Sequence, residues 1–337
     1  MNVKDRYKKL KVSLPDVADK EMVKLGQAFV QALTTVRNNA DEKAIENALR
    51  QNNIEGVIEA SGINRFDELL YGIGMDHTAY VFSNQWQAVF YAGAAAAMSN
   101  LTPEQARIIS FDALGDRAVR NIKAAGFKTI TEITESTKAG LRVLVSEGLD
   151  KNLTLPEQAR QIRQLIGLTD SQMIAVSNFR RQLETRQLLG LTPPDERRLN
   201  AIEQSMVRRH MREGHFSQQQ IDKMVETYYT RLVNMRAEAI ARTESLNAVN
   251  NGQLELWEQG LDQGVFNDNT ERKFWVTARD ERVRRTHRAI PAMNPDGVKI
   301  RSQFITPFGP VNGPGDFNVN LINCRCVLVL GQVGDKI

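Results

Sequence analysis

Cysteine is nearly missing from this chain. Two stand among 337 residues, at positions 324 and 326. That excludes the disulfide-stapled scaffolds that small secreted domains build from four or more cysteines, and leads us to expect folding in a reducing cytoplasm. Taken as neighbouring strand positions, Cys324 and Cys326 are expected on opposite faces, which counts against a bridge between them. Long apolar runs are also missing. The most apolar stretch, residues 88–98, is too short and too alanine-rich to cross a bilayer, which takes about 20 residues. The opening Met1-Asn2-Val3-Lys4-Asp5-Arg6 has none of the apolar core of a secretory signal. No Gly-x-Gly-x-x-Gly and no P-loop occurs, so the common nucleotide-binding fingerprints are not available.

Apolar content of 42 % and charge content of 25 % are those of an ordinary globular chain, and length allows two domains. The net charge of +4 is mild, but its placement is uneven. Residues 151–250 carry 15 Lys/Arg against 11 Asp/Glu, and residues 271–301 carry nine against four. Such an excess fits a solvated surface, and it also fits contact with DNA or an acidic protein.

What is present is mostly helix. Residues 1–12 are basic and polar and read as an arm. Ser13 caps a helix with Pro15 in its first turn and Asp16 at its positive end. Val17, Met22, Val23, Leu25, Phe29, Leu33 and Val36 fit a helical stripe better than a strand. Asp41 opens a second helix, residues 66–73 a short third, and residues 81–99 a fourth, whose alanines allow a neighbour to approach closely. Leu101-Thr102-Pro103-Glu104-Gln105 is a helix start with Thr as N-cap. The same punctuation returns at Thr154, Thr169 and Thr192. Residues 137–147 read as a helix ended by Gly148, and Leu165-Ile166-Gly167-Leu168 as a tight corner between two helices. Arg208, Arg209 and Arg212 mark either an exposed helix face or a contact with phosphate backbone or acidic protein. Ser217 to Gln220 is a capping box that opens the longest helix, predicted over residues 218–259.

The richest chemistry lies in residues 240–330. Ala241-Arg242-Thr243-Glu244 sits on the long helix, with Thr243, Asn247 and Asn250 on one side of it. Residues 273–278 read as a strand. Asp280 is expected to start a helix that puts Asp280, Arg284 and His287 on one face. Residues 297–301 suggest another strand. A Pro- and Gly-rich loop then leads to Asn323-Cys324-Arg325-Cys326 and an apolar strand at residues 327–330. The fold class expected is mainly α: a helical region with a flexible N-terminal arm over residues 1–216, then the long connecting helix and a small α+β domain over residues 217–337.

Ala-Arg-Thr-Glu followed by Ala248, Asn250 and Gly252, then Trp275, Asp280-x-x-x-Arg284-x-x-His287 and Asn323-Cys324-Arg325-Cys326, resembles the phage minor head proteins of the Mu F-like head morphogenesis family. The resemblance covers residues 220–330. It implies a minor capsid component that binds the portal protein inside the head and assists head assembly, DNA packaging or DNA ejection. Major capsid or scaffold protein and packaged DNA are further partners on this reading. The location implied is the virion, reached from the host cytoplasm, with no membrane involved. Some relatives carry a Cys-x-x-Cys pair after the Asp. This chain has Arg285 and Thr286 there, which excludes a four-cysteine zinc site.

Two readings of the terminal residues stay open. In one, Arg242, Thr243, Glu244, Asn250, Asp280, Arg284, His287, Asn323 and Arg325 form a structural polar motif without cofactor or catalysis. In the other, His287, Cys324 and Cys326 hold a metal, with zinc suited to these ligand types and Asp280 as a further donor. A His, Asp and Cys set also formally matches a thiol nucleophile. The functional alternative is therefore a metal- or thiol-dependent hydrolase or toxin-like effector.

Overall fold

The structure is a computed structural model that describes residues 3–8, 10–71, 82–150, 153–185, 204–205, 208–209, 212, 216–278, 280–314 and 324–336. It is mainly helical, with a long helix and a small two-stranded sheet near the C-terminus. In chain order the helices are α1 (Val3–Lys8), α2 (Leu14–Asn39), α3 (Glu42–Arg50), α4 (Ile54–Ala60), α5 (Phe66–Tyr71), α6 (Phe82–Ser99) and α7 (Pro103–Ile108). They continue with α8 (Asp116–Asp150), α9 (Leu155–Leu165), α10 (Asp170–Thr185) and α11 (Gln218–Asp262). Strand β1 (Glu271–Val276), helix α12 (Arg285–Met293) and strand β2 (Val327–Gln332) complete it.

The predicted caps form. Thr102 Oγ1 accepts from Gln105 N–H at 3.3 Å while Gln105 Oε1 accepts from Thr102 N–H at 3.1 Å. Glu157 reaches back to Thr154 N–H at 2.9 Å, Gln172 to Thr169 N–H at 3.1 Å, and Gln220 to Ser217 N–H at 2.8 Å. Each pair satisfies orphan amides of a helix start. Thr192 lies outside the described residues. One helix and one strand differ here from the sequence reading. One helix, α8, runs unbroken through residues 137–147 from Asp116 to Asp150, because α-helix tolerates an isolated Gly140 or Gly148 at about 1 kcal/mol each. Residues 297–301 form no strand: Val298 alone bridges Lys273, and its N–H and C=O meet those of Lys273 at 3.0 and 2.8 Å.

The chain groups into two compact units, each drawn from several segments, where the sequence reading divided it once at residue 217. One unit comprises Phe29–Ala79 and Lys128–Ala237. Its Gly167 takes φ +96 at the corner between α9 and α10, a left-handed conformation that favours glycine. The Arg236 guanidinium is buried there. It donates to the carbonyls of Ile133 and Gly167 at 3.2 and 2.6 Å and to the hydroxyls of Ser136 and Thr137 at 2.6 and 3.1 Å. Burial nevertheless pushes its pKa down to about 10. Arg208, Arg209 and Arg212 are exposed and helical.

The other unit comprises Met1–Ala28, Tyr80–Phe127 and Glu238–Ile337. Here α6 lies against α11, as its small residues led us to expect. A Cβ added at Gly93 would overlap the main chain of Val249, and one at Gly252 the carbonyl of Phe90. Such backbone approach is open only to glycine. Beyond α11, β1 and β2 pair antiparallel with Trp275 opposite Leu328. The core of this unit gathers Trp257, Phe266, Trp275, Ile290, Phe304, Val311 and Leu328 with both cysteines. Lys273 is buried in the same place. Its ammonium donates to the Asn312 carbonyl at 2.7 Å and lies 5.4 Å from the centre of the Phe304 ring.

Candidate metal centre

Strand β1 ends in buried aromatic and β-branched residues, and the chain then turns through Asp280 to Val283 before α12 begins. The start of α12 is a further departure from the sequence reading. The helix opens at Arg285, with Arg284 as N-cap in an extended conformation and Asp280 in a bend. Asp280, Arg284 and His287 therefore share no helix face. Asp280 instead organises its own turn: its carboxylate accepts from Arg282 N–H at 3.1 Å, and Arg288 donates to the carbonyls of Asp280 and Val283 at 3.4 and 3.2 Å. Delaying the helix by five residues places His287 in its first turn, 1 % exposed, facing inward.

From the other side come Cys324 and Cys326. The expectation of opposite faces fails for two reasons. Residues two apart in a strand point to the same side, and β2 itself begins only at Val327. Both thiols are free and buried, and both meet one imidazole nitrogen. Cys324 Sγ lies 3.4 Å and Cys326 Sγ 3.6 Å from His287 Nδ1. Cys326 N–H also donates to Cys324 Sγ at 3.4 Å, which folds the Cys-Arg-Cys stretch back on itself. All three ligand atoms lie within 4.8 Å of one another.

Aromatic edges close the site. Trp275 meets the His287 ring at 6.1 Å and 88°, Phe308 meets it at 6.1 Å and 83°, and Phe304 meets Trp275 at 5.6 Å and 84°. His287 Nε2 is buried and meets no hydrogen-bond partner among the described residues. The two thiols are pushed in opposite directions. Hydrogen bonds from Cys326 and then from His287 hold the Cys324 thiol well below its ordinary range. The hydrogen bond to Cys324 and burial push Cys326 up.

Arg325, between the cysteines, turns outward to the rim. Its guanidinium grips the Asp280 carboxylate in a two-pronged contact at 2.6 and 2.7 Å and holds that carboxyl below its usual value. The predicted polar motif thus separates into parts. Asp280 and Arg325 clasp the turn before α12 to the chain before β2. His287 belongs to the buried thiol cluster. Asn250 ties α11 to β2, accepting from Leu328 N–H at 3.0 Å and donating to the Cys326 carbonyl at 3.2 Å. Glu244 is buried and accepts from Trp86 Nε1 at 3.2 Å and Asn247 Nδ2 at 3.4 Å. Arg242 pairs with Glu238 at 2.6 Å on the helix surface, so it anchors nothing here, and Thr243 Oγ1 bonds the Ala239 carbonyl of its own helix. Asn323 lies outside the described residues. Trp86, Gln253 and Phe308 also serve this region without having been singled out in the sequence. Only Gln253 carried a signal, a polar residue three positions after Asn250 on the same strip of helix.

The three donors fit a metal of zinc's type. In a tetrahedral site with Zn–S near 2.3 Å and Zn–N near 2.0–2.1 Å, the S···N edge is about 3.6 Å, which the two observed separations match. Two thiols and an imidazole are the soft donor set that selects zinc over magnesium or calcium. No protein-family model, curated protein or solved structure matches the chain.

Proposed function

We propose that this chain is a minor head protein of a tailed phage or prophage that binds the portal. On this reading its C-terminal residues form a head-morphogenesis domain locked by a structural zinc ion on His287, Cys324 and Cys326. One observation carries the proposal. Several of the residues on which the family resemblance rests, between Asn250 and Cys326, are linked by direct contacts, while Arg242, Thr243 and Glu244 lie apart from them. Asn250 holds the main chain at Cys326 and Leu328, Cys324 and Cys326 meet His287, His287 abuts Trp275, and Arg325 holds Asp280. Scattered matches that arose by coincidence have no reason to be neighbours in space.

The zinc would tie the start of α12 to the entry of β2, beside the clasp of Asp280 and Arg325. The chain's own residues supply the enclosure: three aromatic rings exclude water, and Arg325 keeps its charge at the rim. A thiol-nucleophile reading is served less well. Cys324 is 6 % exposed, and the His287 nitrogen that a carboxylate would orient in a triad has no partner among the described residues.

The test is co-expression with a portal protein from the same genome, followed by co-purification and counting of copies in assembled heads. A portal complex and a low copy number are expected. Failure to bind the portal, together with absence from particles, would overturn the assignment.

A further inference from the structure

Each of the two cysteines has only the other as a thiol partner within this chain. Their sulfurs lie 3.4 and 3.6 Å from the same nitrogen, His287 Nδ1, and within 4.8 Å of each other. Residues two apart in a regular strand stand about 6.7 Å from Cα to Cα, at the upper end of the roughly 4.4–6.8 Å that disulfides span. Cys324-Arg325-Cys326 is no regular strand: β2 begins at Val327, and Cys326 N–H turns back to Cys324 Sγ at 3.4 Å. Such a bend moves the pair further into the disulfide range, and both sulfurs already converge on one point.

Access to the sulfurs is limited by size rather than closed. Cys324 keeps 6 % of its surface, and Phe308, whose ring meets His287, keeps 38 %. That opening is too narrow for a peptide or a sugar, but a peroxide brings only two oxygen atoms. What oxidation would do follows from the donor set. Of the three donors among the described residues, two are these sulfurs. Zinc is held by thiolate, and a disulfide sulfur carries no charge to offer it. Joining the sulfurs therefore leaves His287 alone, and a single imidazole does not retain the ion.

We infer that Cys324 and Cys326 are a peroxide-sensitive modification site, closing to a reversible disulfide that unlocks the start of α12 from the entry of β2. In the first step the Cys324 sulfur, the less buried of the two, attacks the O–O bond of the peroxide. An S–O bond forms, the O–O bond breaks, and the second oxygen leaves as water with the thiol proton, so that Cys324 becomes a sulfenic acid. The Cys326 sulfur then attacks that sulfur. The S–S bond forms, and the hydroxyl leaves as a second water with the Cys326 proton. Two electrons pass in all from the sulfurs to one peroxide. Where zinc is bound it stands in place of the two thiol protons, which solvent then supplies as the ion departs. The new bond closes a loop of only three residues, so it adds little of the chain-entropy stabilisation that grows with loop length. Loss of zinc rests on the zinc reading given above, whereas the sulfur–sulfur bond needs only the two thiols.

The test treats the full-length chain, reduced and then freed of reductant, with a few equivalents of hydrogen peroxide. Intact mass after alkylation in denaturant reads the sulfurs, and a zinc-sensitive dye reads the metal. The expected product is lighter by two hydrogens and takes up no alkylating agent. Zinc should appear in step with it, the melting temperature should fall, and dithiothreitol should restore both thiols. Cys326→Ser removes the second thiol and should trap the sulfenic acid at Cys324 as a dimedone adduct. The mass measurement on the unaltered chain stands by itself should that variant fold poorly. Thiols that remain fully alkylatable, oxidation that runs to sulfinic or sulfonic acid without a disulfide, or a bond formed between two chains would each overturn the inference. A disulfide in a chain that carried no zinc when reduced would sustain the modification site and refute the zinc reading. Zinc released with no disulfide formed would sustain the zinc reading and overturn the inference.

Discussion

The side chain of Asn250 pairs with the main chain of Leu328 as a neighbouring strand would: Oδ1 takes the N–H at 3.0 Å, while Nδ2 reaches the carbonyl two residues earlier, at Cys326. A helix thereby finishes the hydrogen bonding of a sheet edge that has only one partner strand. Asn250→Ala removes both bonds and leaves a buried donor and acceptor unpaired. Each such loss costs roughly 1–3 kcal/mol, so a destabilisation of about 2–4 kcal/mol is expected. Hydrogen exchange reads it locally: the Leu328 amide should lose protection in the variant while Val329, bonded to β1, keeps more of its own. Unchanged protection at Leu328 would show that the bond contributes nothing.

Gly252 and Gly264 separate two uses of glycine. A Cβ at Gly252 would enter the Phe90 carbonyl, whereas Gly264, at φ +71, has nothing within 4 Å of a Cβ. Gly252→Ala must push α6 from α11, for which overpacking costs of about 1–3 kcal/mol or more apply. Gly264→Ala meets only backbone strain, about 1 kcal/mol. Thermal melting should rank Gly252→Ala as the more damaging. The reverse order would mean that the helix pair adjusts freely.

Tyr229 gives a pH signature. Its hydroxyl donates to the Ile166 carbonyl at 2.7 Å, and burial pushes its pKa up to about 12. An unfolded chain ionises this phenol near pH 10. Because the folded value is raised, the stabilisation is fully present below pH 10 and is lost as pH rises toward 12. Two pH units correspond to about 2–3 kcal/mol at most. Tyr229→Phe should be less stable than the natural chain by about 1 kcal/mol at pH 7, with the difference closing between pH 10 and 12. Urea titrations at pH 7, 10 and 12 decide it, and a constant difference would refute the burial argument.

Local rules made much of the helical architecture legible. Thr102, Thr154, Thr169 and Ser217 each carry an acceptor three residues on, and each forms the cap that this spacing implies. The same local reasoning misplaced Asp280, whose acidic side chain suits a helix start but is engaged by Arg325, 45 residues away. It misjudged Cys324 and Cys326 because it took a strand through them and then assigned the wrong alternation. The partners of Glu244 and Gln253 lie at Trp86 and on the Leu328 main chain, and no spacing within the chain announces them. The site residues were readable as a set, but their pairing was decided by tertiary contacts.

The thiol cluster gives the most direct prediction. If His287 Nδ1, Cys324 Sγ and Cys326 Sγ hold zinc, the chain purified without chelator carries one equivalent, measurable by elemental analysis. His287→Ala and Cys324→Ser each remove one of three donors and should lower the content below a tenth of an equivalent. Arg325→Ala breaks the rim contact with Asp280 but touches no donor, so it should keep its metal. Chelation should lower the melting temperature of the natural chain and leave His287→Ala unmoved, because metal bound only by the folded state adds its binding free energy to stability. Cobalt in place of zinc should produce a thiolate-to-metal absorption that disappears in Cys324→Ser and in Cys326→Ser alike. Metal-free protein from zinc-supplemented growth, with no cobalt spectrum, would make the cluster a packed thiol–imidazole knot. The aromatic enclosure by Trp275, Phe304 and Phe308 would then be its whole purpose.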